Sequence, residues 1–294
     1  MNLRYRTLLL AVLLVTPTVL ADSPTGEGTD KTFMWRVQRG GATVYLLGSV
    51  HAMKEDAYPL PSAMETAFDS VEKLVFEIDL DDLGSAAIQM LAAGTLDGED
   101  TLEEIVGPAT WTRLMVHVEK TSFPEGMFQR MKSWMAAVTI TALAMTDAGY
   151  LPSAGIDTYF SRRAEEAGKE RIALETVEFQ VSLFADLTAE QSLAFLRYTL
   201  VDLETVIPEL DELSAHWRAG NVAAVEALMA EGFDEFPELL DTMVTDRNRT
   251  WIAPIEELLA GESDAMVVVG ALHLVGEEGV VNLLRKKGYT VEQK

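Results

Sequence analysis

Two stretches of this chain follow the same pattern and lie more than two hundred residues apart. "VYLLGSVH" (44–51) and "MVVVGALH" (266–273) each run through four apolar residues, a glycine, a small residue, an apolar residue and a histidine. A short apolar run closed by glycine reads as a strand, and the glycine permits a bulge or a close backbone approach where the strand ends. The chain has only four histidines. With glycine at about 7% of an average chain, two of four histidines follow a glycine by three residues in roughly 3% of chains by chance. The pattern therefore asks for one sheet assembled from both ends of the chain.

The intervening text fits that requirement. "KTFMWRVQRGGATVYLLGSVH" reads as a hairpin turned at Arg39-Gly40-Gly41. Ser62 and Glu65 have capping-box spacing at the head of a helix, and "EKLVFEIDL" follows as a strand. Strand, helix, strand predicts a βαβ unit, with the strand before His51 and the strand carrying Glu77 as parallel neighbours. Residues 82–260 are mainly helical text, interrupted by "RIALE" as a short strand. Met131–Met145 is apolar on most faces, and Thr188/Gln191 form a second capping box. Pro208 is expected to kink its helix or open a new one, and Pro237 and Pro254 are expected at helix starts. "AMVVVG", "EEGVVNLLRKKG" and "YTVEQ" close the chain as strand, helix, strand. The fold class expected is α/β of a mixed α+β kind: a central, partly parallel sheet built from N- and C-terminal segments, with a large helical middle. Residues 31–294 form that domain, with the helical insertion at roughly 82–260.

The first twenty-one residues read as a signal peptide. Arg4 and Arg6 precede an apolar core at Leu8–Val15, and Val19-Leu20-Ala21 offers a cleavage site after Ala21. The apolar run is short for a membrane span, which takes roughly 20 residues. Residues 22–30 read as a flexible mature N-terminus, and the expected location is periplasmic or secreted, with no stable membrane span after cleavage. The chain has no cysteine, which excludes disulfides, thiolate metal sites and a cysteine nucleophile. Its formal charge of −24 repels phosphate backbones, so nucleic acid is excluded as a partner. Oligomeric state is not written in the sequence.

In open α/β sheets ligands bind beyond the carboxyl ends of the strands. Four ionisable residues are expected to converge along that rim: His51, Glu77 in "LVFEID", Glu175 in "RIALE", and His273. Two imidazoles with one or two carboxylates suit a borderline divalent ion such as zinc, manganese or cobalt, and an open coordination position would activate water. A strand-end histidine or carboxylate taken singly is more often structural, and the repeated grammar is what lifts this pair. His117 and His216 sit in helical text and read as structural, and the acidic run Asp79–Asp82 reads as a solvated face. No nucleophile elbow, Walker loop, dinucleotide fingerprint or H-E-x-x-H helix occurs.

The blocks "YLLGSVHAMKEDAYPLP", "LVFEID", "AGIDTYFSRRAEEAGKERIALETVEFQ", "DRNRTW" and "VVVGALHLVGEEGVVNLLRKKGYTV" resemble, in order, those of the TraB/GumN family. That family is related to the Tiki metalloproteases and more remotely to erythromycin esterase- and ChaN-like proteins. The resemblance implies a compact αβ fold with His51, His273 and Glu77 in the active site, and it draws in Asp157, Glu175, Gln180, Arg247 and Asn248 by position. It implies manganese- or cobalt-dependent proteolysis, as described for the animal members. The leading expectation is an exported metal-dependent hydrolase, most plausibly a peptidase acting on a peptide or protein. His51 and His273 bind the cation, Glu77 is the third ligand or the general base, and Arg247 stabilises an oxyanion or clamps a substrate carboxylate. Asp157, Glu175, Gln180 and Asn248 support these residues or touch substrate. Two alternatives stay open: a metal-independent esterase-type hydrolase with histidine as general base, and a non-enzymatic protein that binds a peptide or haem in the same cleft.

Overall fold

The computed structural model describes residues 31–39, 41–233 and 237–294. The expected signal peptide, the N-terminal lead-in and Gly40 of the hairpin turn lie outside these described residues.

Six strands make one mixed sheet: β1 (Met34–Gln38), β2 (Val44–Ser49), β3 (Lys73–Phe76), β4 (Glu170–Ala173), β5 (Ala265–Gly270) and β6 (Thr290–Gln293). Their order is β4-β3-β5-β2-β1-β6. The four strands β4, β3, β5 and β2 run parallel, while β1 pairs antiparallel with both β2 and β6. Both chain ends thus enter one sheet, as the repeated pattern required. The expected neighbours β2 and β3, however, are separated by β5. The reason lies in the sequence of β5, whose six residues are all buried. A strand with no polar face gains most from an interior position, with a strand on each side and layers above and below.

Helices occupy the rest. α1 (Ser62–Ser70) carries the crossover from β2 to β3, followed by α2 (Leu83–Gly94), α3 (Leu102–Val106), α4 (Pro108–Val118), α5 (Glu125–Phe128), α6 (Ser133–Asp147) and α7 (Ile156–Glu166). Between β4 and β5 lie α8 (Val177–Ala185), α9 (Ala189–Asp202), α10 (Val206–Arg218), α11 (Val222–Gly232), α12 (Pro237–Leu240) and α13 (Asp246–Ala260), and α14 (Val280–Lys286) precedes β6. The apolar α6 buries Trp134, Ala136, Ala137 and Ile140 and packs against α9. No helix among the described residues is long and apolar enough to cross a membrane.

Local signals succeed where nothing distant competes. Thr188 and Gln191 close both bonds of their capping box, and Pro208 lies in the first turn of a new helix, α10. Ser62 and Glu65 do not form theirs. Pro61 caps α1 without a side-chain bond, and the Glu65 carboxylate accepts from Tyr159 Oη at 2.8 Å and pairs with Arg163 of α7. Two partners on a packed helix outcompete one local amide. Pro254 sits inside α13 rather than at its start, in a helix held by buried Trp251, Ile252, Ile255 and Leu259.

Candidate active site

Parallel pairing brings the carboxyl ends of four strands level. Phe76 of β3 pairs with Val268 of β5 and Ala173 of β4, while Leu47 of β2 pairs with Val268 from the other side. The residues just beyond these ends must share one rim. His51 follows β2, Glu77 follows β3, Glu175 follows β4, and His273 lies in the 3-10 turn Ala271–Leu274 after β5. A cleft of about 300 Å³ opens over His51, Glu77 and His273.

The two glycines of the repeated pattern do different work. At Gly48 a Cβ would run into the Phe33 ring, so this glycine serves packing under the sheet. At Gly270 a Cβ would stand 3.3 Å from Glu77 Oε1, 3.3 Å from His51 Nε2 and 3.4 Å from His273 Cδ2. The bare backbone of Gly270 therefore floors a gap shared by all three side chains, and its N–H donates to Glu77 Oε1 at 2.7 Å.

Each imidazole is tied at Nδ1 and holds Nε2 on the side of Glu77. His51 Nδ1 donates to Asp157 Oδ2 at 2.8 Å, and His273 Nδ1 donates to Asn248 Oδ1 at 2.7 Å. Asn248 is oriented in turn by donating to the Glu278 carbonyl at 2.9 Å, which leaves its oxygen for the histidine. Nε2 of His51 and of His273 lie 3.8 and 3.9 Å from Glu77 Oε1. The two rings differ in access: the His51 side chain is 42% exposed and that of His273 only 7%.

Behind Glu77 stands a buried cation. Arg247 leaves the first turn of α13, where a π-helical turn at Asp241–Thr245 runs into the helix. Its Nη2 donates to Glu77 Oε2 at 2.5 Å and to Glu175 Oε2 at 2.8 Å, and its Nε donates to Glu175 Oε1 at 2.9 Å. Nη1 donates to the Met243 carbonyl at 2.9 Å and lies 3.2 Å from His273 Nε2. Gln180 Nε2 bridges the same two carboxylates at 3.2 and 3.1 Å. All five guanidinium hydrogens thus face protein acceptors, which bears on the expectation that Arg247 clamps substrate.

This network fixes the charge states. Burial opposes ionisation of Glu77, but Arg247, the two imidazoles and the Gly270 N–H outweigh it and hold the carboxyl well below its usual range. Burial and the adjacent Arg247 push His273 down to about 3, so it is neutral at pH 7. Burial also works against a charged His51, but the charge and hydrogen bond of Asp157, then Glu77, more than compensate and raise it to about 9. Without a metal, then, His51 is an imidazolium at neutral pH.

The residues suit a divalent ion on three counts. Two Nε2 atoms and one carboxylate oxygen are the donors that zinc, manganese or cobalt accept. Each histidine has its remote nitrogen held by an oxygen, the usual support of a metal-binding imidazole. The gap that a Cβ on Gly270 would fill is faced by Glu77 Oε1, His51 Nε2 and the Cδ2 edge of the His273 ring, whose Nε2 lies 3.2 Å from Arg247 Nη1. Among the described residues, the side chains are not drawn together into a closed cluster of three or more His, Asp or Glu ligands. Asp157 Oδ1, buried beside His51, has no hydrogen-bond partner among the described residues.

All eight residues singled out in the sequence meet in this one network. Trp251, which the sequence does not single out, joins them. Its Nε1 donates to Glu175 Oε1 at 2.8 Å, and its ring lies 4.4 Å from that of His273. The available signal was its spacing, one helical turn after Arg247 on the same face of α13.

The model of the TraB/PrgY/gumN family matches residues 33–293. The uncharacterised protein YbaP of Escherichia coli is 24% identical, over 84% of this chain and 89% of its own length. The "Metalloprotease TIKI homolog" of Amphimedon queenslandica is 24% identical over 97% of this chain and 67% of its own. "Metalloprotease TIKI2" of Danio rerio is 21% identical over 92% and 62%, so the chain spans under two thirds of that relative. No solved structure matches.

Proposed function

The chain belongs to the TraB/PrgY/gumN family, and from that premise we propose that it is a metal-dependent hydrolase cutting peptide bonds, with His51, His273 and Glu77 holding the ion. The observation that carries this reading is the gap over Gly270 shared by His51, His273 and Glu77, whose Oε1 stands 3.8 and 3.9 Å from the two Nε2 atoms. Relatives that share the family and carry the name metalloprotease point the same way. A divalent ion held there supplies a Lewis acid and a bound water acidified towards neutrality.

The chain's own groups divide the remaining work. A general base at pH 7 needs a pKa near 7, and Glu77, held far below that by Arg247, is too weak a base. Glu77 is therefore a ligand. Arg247 is a positioning residue: it neutralises Glu77 and Glu175 and sets the Glu77 oxygens, and only the N–H that faces His273 Nε2 is released when that nitrogen takes the ion. Asp157 and Asn248 hold the two rings by Nδ1, and Gln180 and Trp251 hold the carboxylates. The half-exposed edge of His51 faces the cleft, whose walls include Ile78, Leu80, Leu183 and Phe184. Such walls suit a polypeptide segment and exclude water from the rim.

One observation favours a metal-independent alternative: Arg247 already lodges a positive charge against Glu77 and beside His273 Nε2. Against it, neither histidine is suited to base catalysis at pH 7 without a metal, one being held protonated and the other pushed down to about 3. The test is calorimetric titration of Mn²⁺, Co²⁺ and Zn²⁺ into wild type, His51→Ala, His273→Ala and Glu77→Ala, alongside cleavage of a peptide library with and without chelator. The expected result is binding lost in the variants and cleavage abolished by chelation. Cleavage that survives exhaustive chelation, or equal metal binding in all four proteins, overturns the reading.

A further inference from the structure

A second cavity, of about 190 Å³, lies directly beside the catalytic cleft and shares His51 and Pro152 with it as a common wall. Its remaining wall is built largely from one stripe of α6, Val138, Thr141, Ala142 and Met145, closed by Tyr150 and by Phe195 of α9. The spacing of three, one and three residues puts the stripe on one helical face. The stripe is continuous with the core that Trp134, Ala136, Ala137 and Ile140 anchor, since Thr141 and Met145 are themselves buried while Ala142 is exposed.

The wall offers carbon and almost nothing else. The Thr141 hydroxyl donates to the Ala137 carbonyl at 2.9 Å, the Thr146 hydroxyl to the Ala142 carbonyl at 2.8 Å, and Tyr150 Oη to Asp211 at 2.7 Å. His51 is the only ionisable imidazole, carboxylate, ammonium or guanidinium group in it, and His51 is committed to Asp157 and the rim. A polar or charged ligand group would lose water here without finding a partner. In volume the cavity exceeds the ~150 Å³ that encloses a benzene ring.

We propose that this cavity is a specificity pocket for one large apolar side chain, of the phenylalanine, leucine or methionine class, on the substrate peptide. Because His51 walls both spaces, that side chain belongs to a residue adjoining the bond placed over the rim. The proposal rests on the peptidase reading for the position of that bond, but the chemistry of the pocket stands on its own walls. Small residues set its size: Ala142 lies exposed at the mouth, where a larger side chain enters the cavity without disturbing the core.

Two measurements on the full-length protein separate the pocket from the reaction. In the first, the methyl resonance of ¹³C-labelled Met145 is followed while N-acetyl-phenylalaninamide or N-acetyl-glycinamide is added. Saturable binding of the phenylalanine amide is expected, weakened at least about tenfold in Ala142→Trp and for the glycine amide. In the second, a peptide library is digested with Mn²⁺ present and the new termini are read by mass spectrometry. A large apolar residue is expected at one fixed position beside the cut. The ratio of kcat/KM for phenylalanine over alanine at that position should fall at least about tenfold in Ala142→Trp. The proposal is overturned if Met145 shows no saturable shift, if Ala142→Trp binds the phenylalanine amide as wild type does, or if the cuts show no apolar preference. Saturable binding at Met145 without cleavage of any peptide supports the pocket and overturns the peptidase reading instead.

Discussion

Replacing Arg247 by methionine removes the one guanidinium that joins Glu77 to Glu175 while keeping much of the apolar stem. The three side chains are 7, 10 and 5% exposed, so water cannot take over the lost bonds without opening the rim. Breaking a buried pair by deleting one partner costs about 3–5 kcal/mol, because the remaining charge is stranded. That is a large part of the roughly 5–15 kcal/mol by which folded domains are stable. The penalty depends on pH in a direction that can be worked out. In wild type the Glu77 carboxyl is held below its ordinary 4.5. The stability it contributes is therefore present above about pH 4.5 and lost as pH falls through the lower folded value. In the variant the cost of burial is no longer offset by Arg247, and the Glu77 pKa rises from its folded wild-type value, so less of that stability is present at neutral pH. The gap therefore widens with rising pH. Urea denaturation followed by tryptophan fluorescence should show Arg247→Met less stable than wild type by about 3–5 kcal/mol near pH 7.5, narrowing clearly near pH 4.5. A gap under about 1 kcal/mol near pH 7.5, or one that does not narrow in acid, refutes the argument that Arg247 neutralises this site.

Three further outcomes follow from the same geometry. Since the metal-free His51 pKa is about 9, an ion that binds its Nε2 must displace a proton there. Metal affinity should rise about tenfold per pH unit between pH 6 and 8, with close to one proton released per ion in calorimetry across buffers of different ionisation enthalpy. Proton release should fall in Asp157→Asn, which removes the main group holding that charge. Gly270→Ala should fold but lose metal binding and hydrolysis, since its Cβ enters the shared gap. Gly48→Ala should instead lower stability by about 1–3 kcal/mol through the Phe33 ring, as thermal melts would show. Trp251→Phe keeps a ring against His273 but deletes the donor to Glu175, and should cost about 1–3 kcal/mol in the same melts.

Much of the candidate site's layout was legible before any coordinates. The two strand–glycine–histidine segments, Glu77 and Glu175 each announce a strand end within a few residues, and parallel strands of one sheet bring their carboxyl ends to a common rim. Thr188 and Gln191 were legible for the same reason, since their capping box closes within four residues and depends on nothing distant. What the sequence left undetermined are the contacts whose partners lie far along the chain. Nothing local says that β5 separates β2 from β3. That follows from which strand gains most by having both faces covered. Nothing local says that Glu65 abandons its helix cap for α7, or that Arg247 turns its donors towards Glu77, Glu175, Met243 and His273. The roles of Gly48 and Gly270 divide in the same way: identical in the text, one lies beneath the Phe33 ring and the other floors the gap between two histidines and a carboxylate. A repeated pattern can specify that a backbone turns at a strand end, because that is set by a few neighbouring dihedrals. What stands over the turn is set by the packing of residues two hundred positions away, and only the tertiary structure decides it.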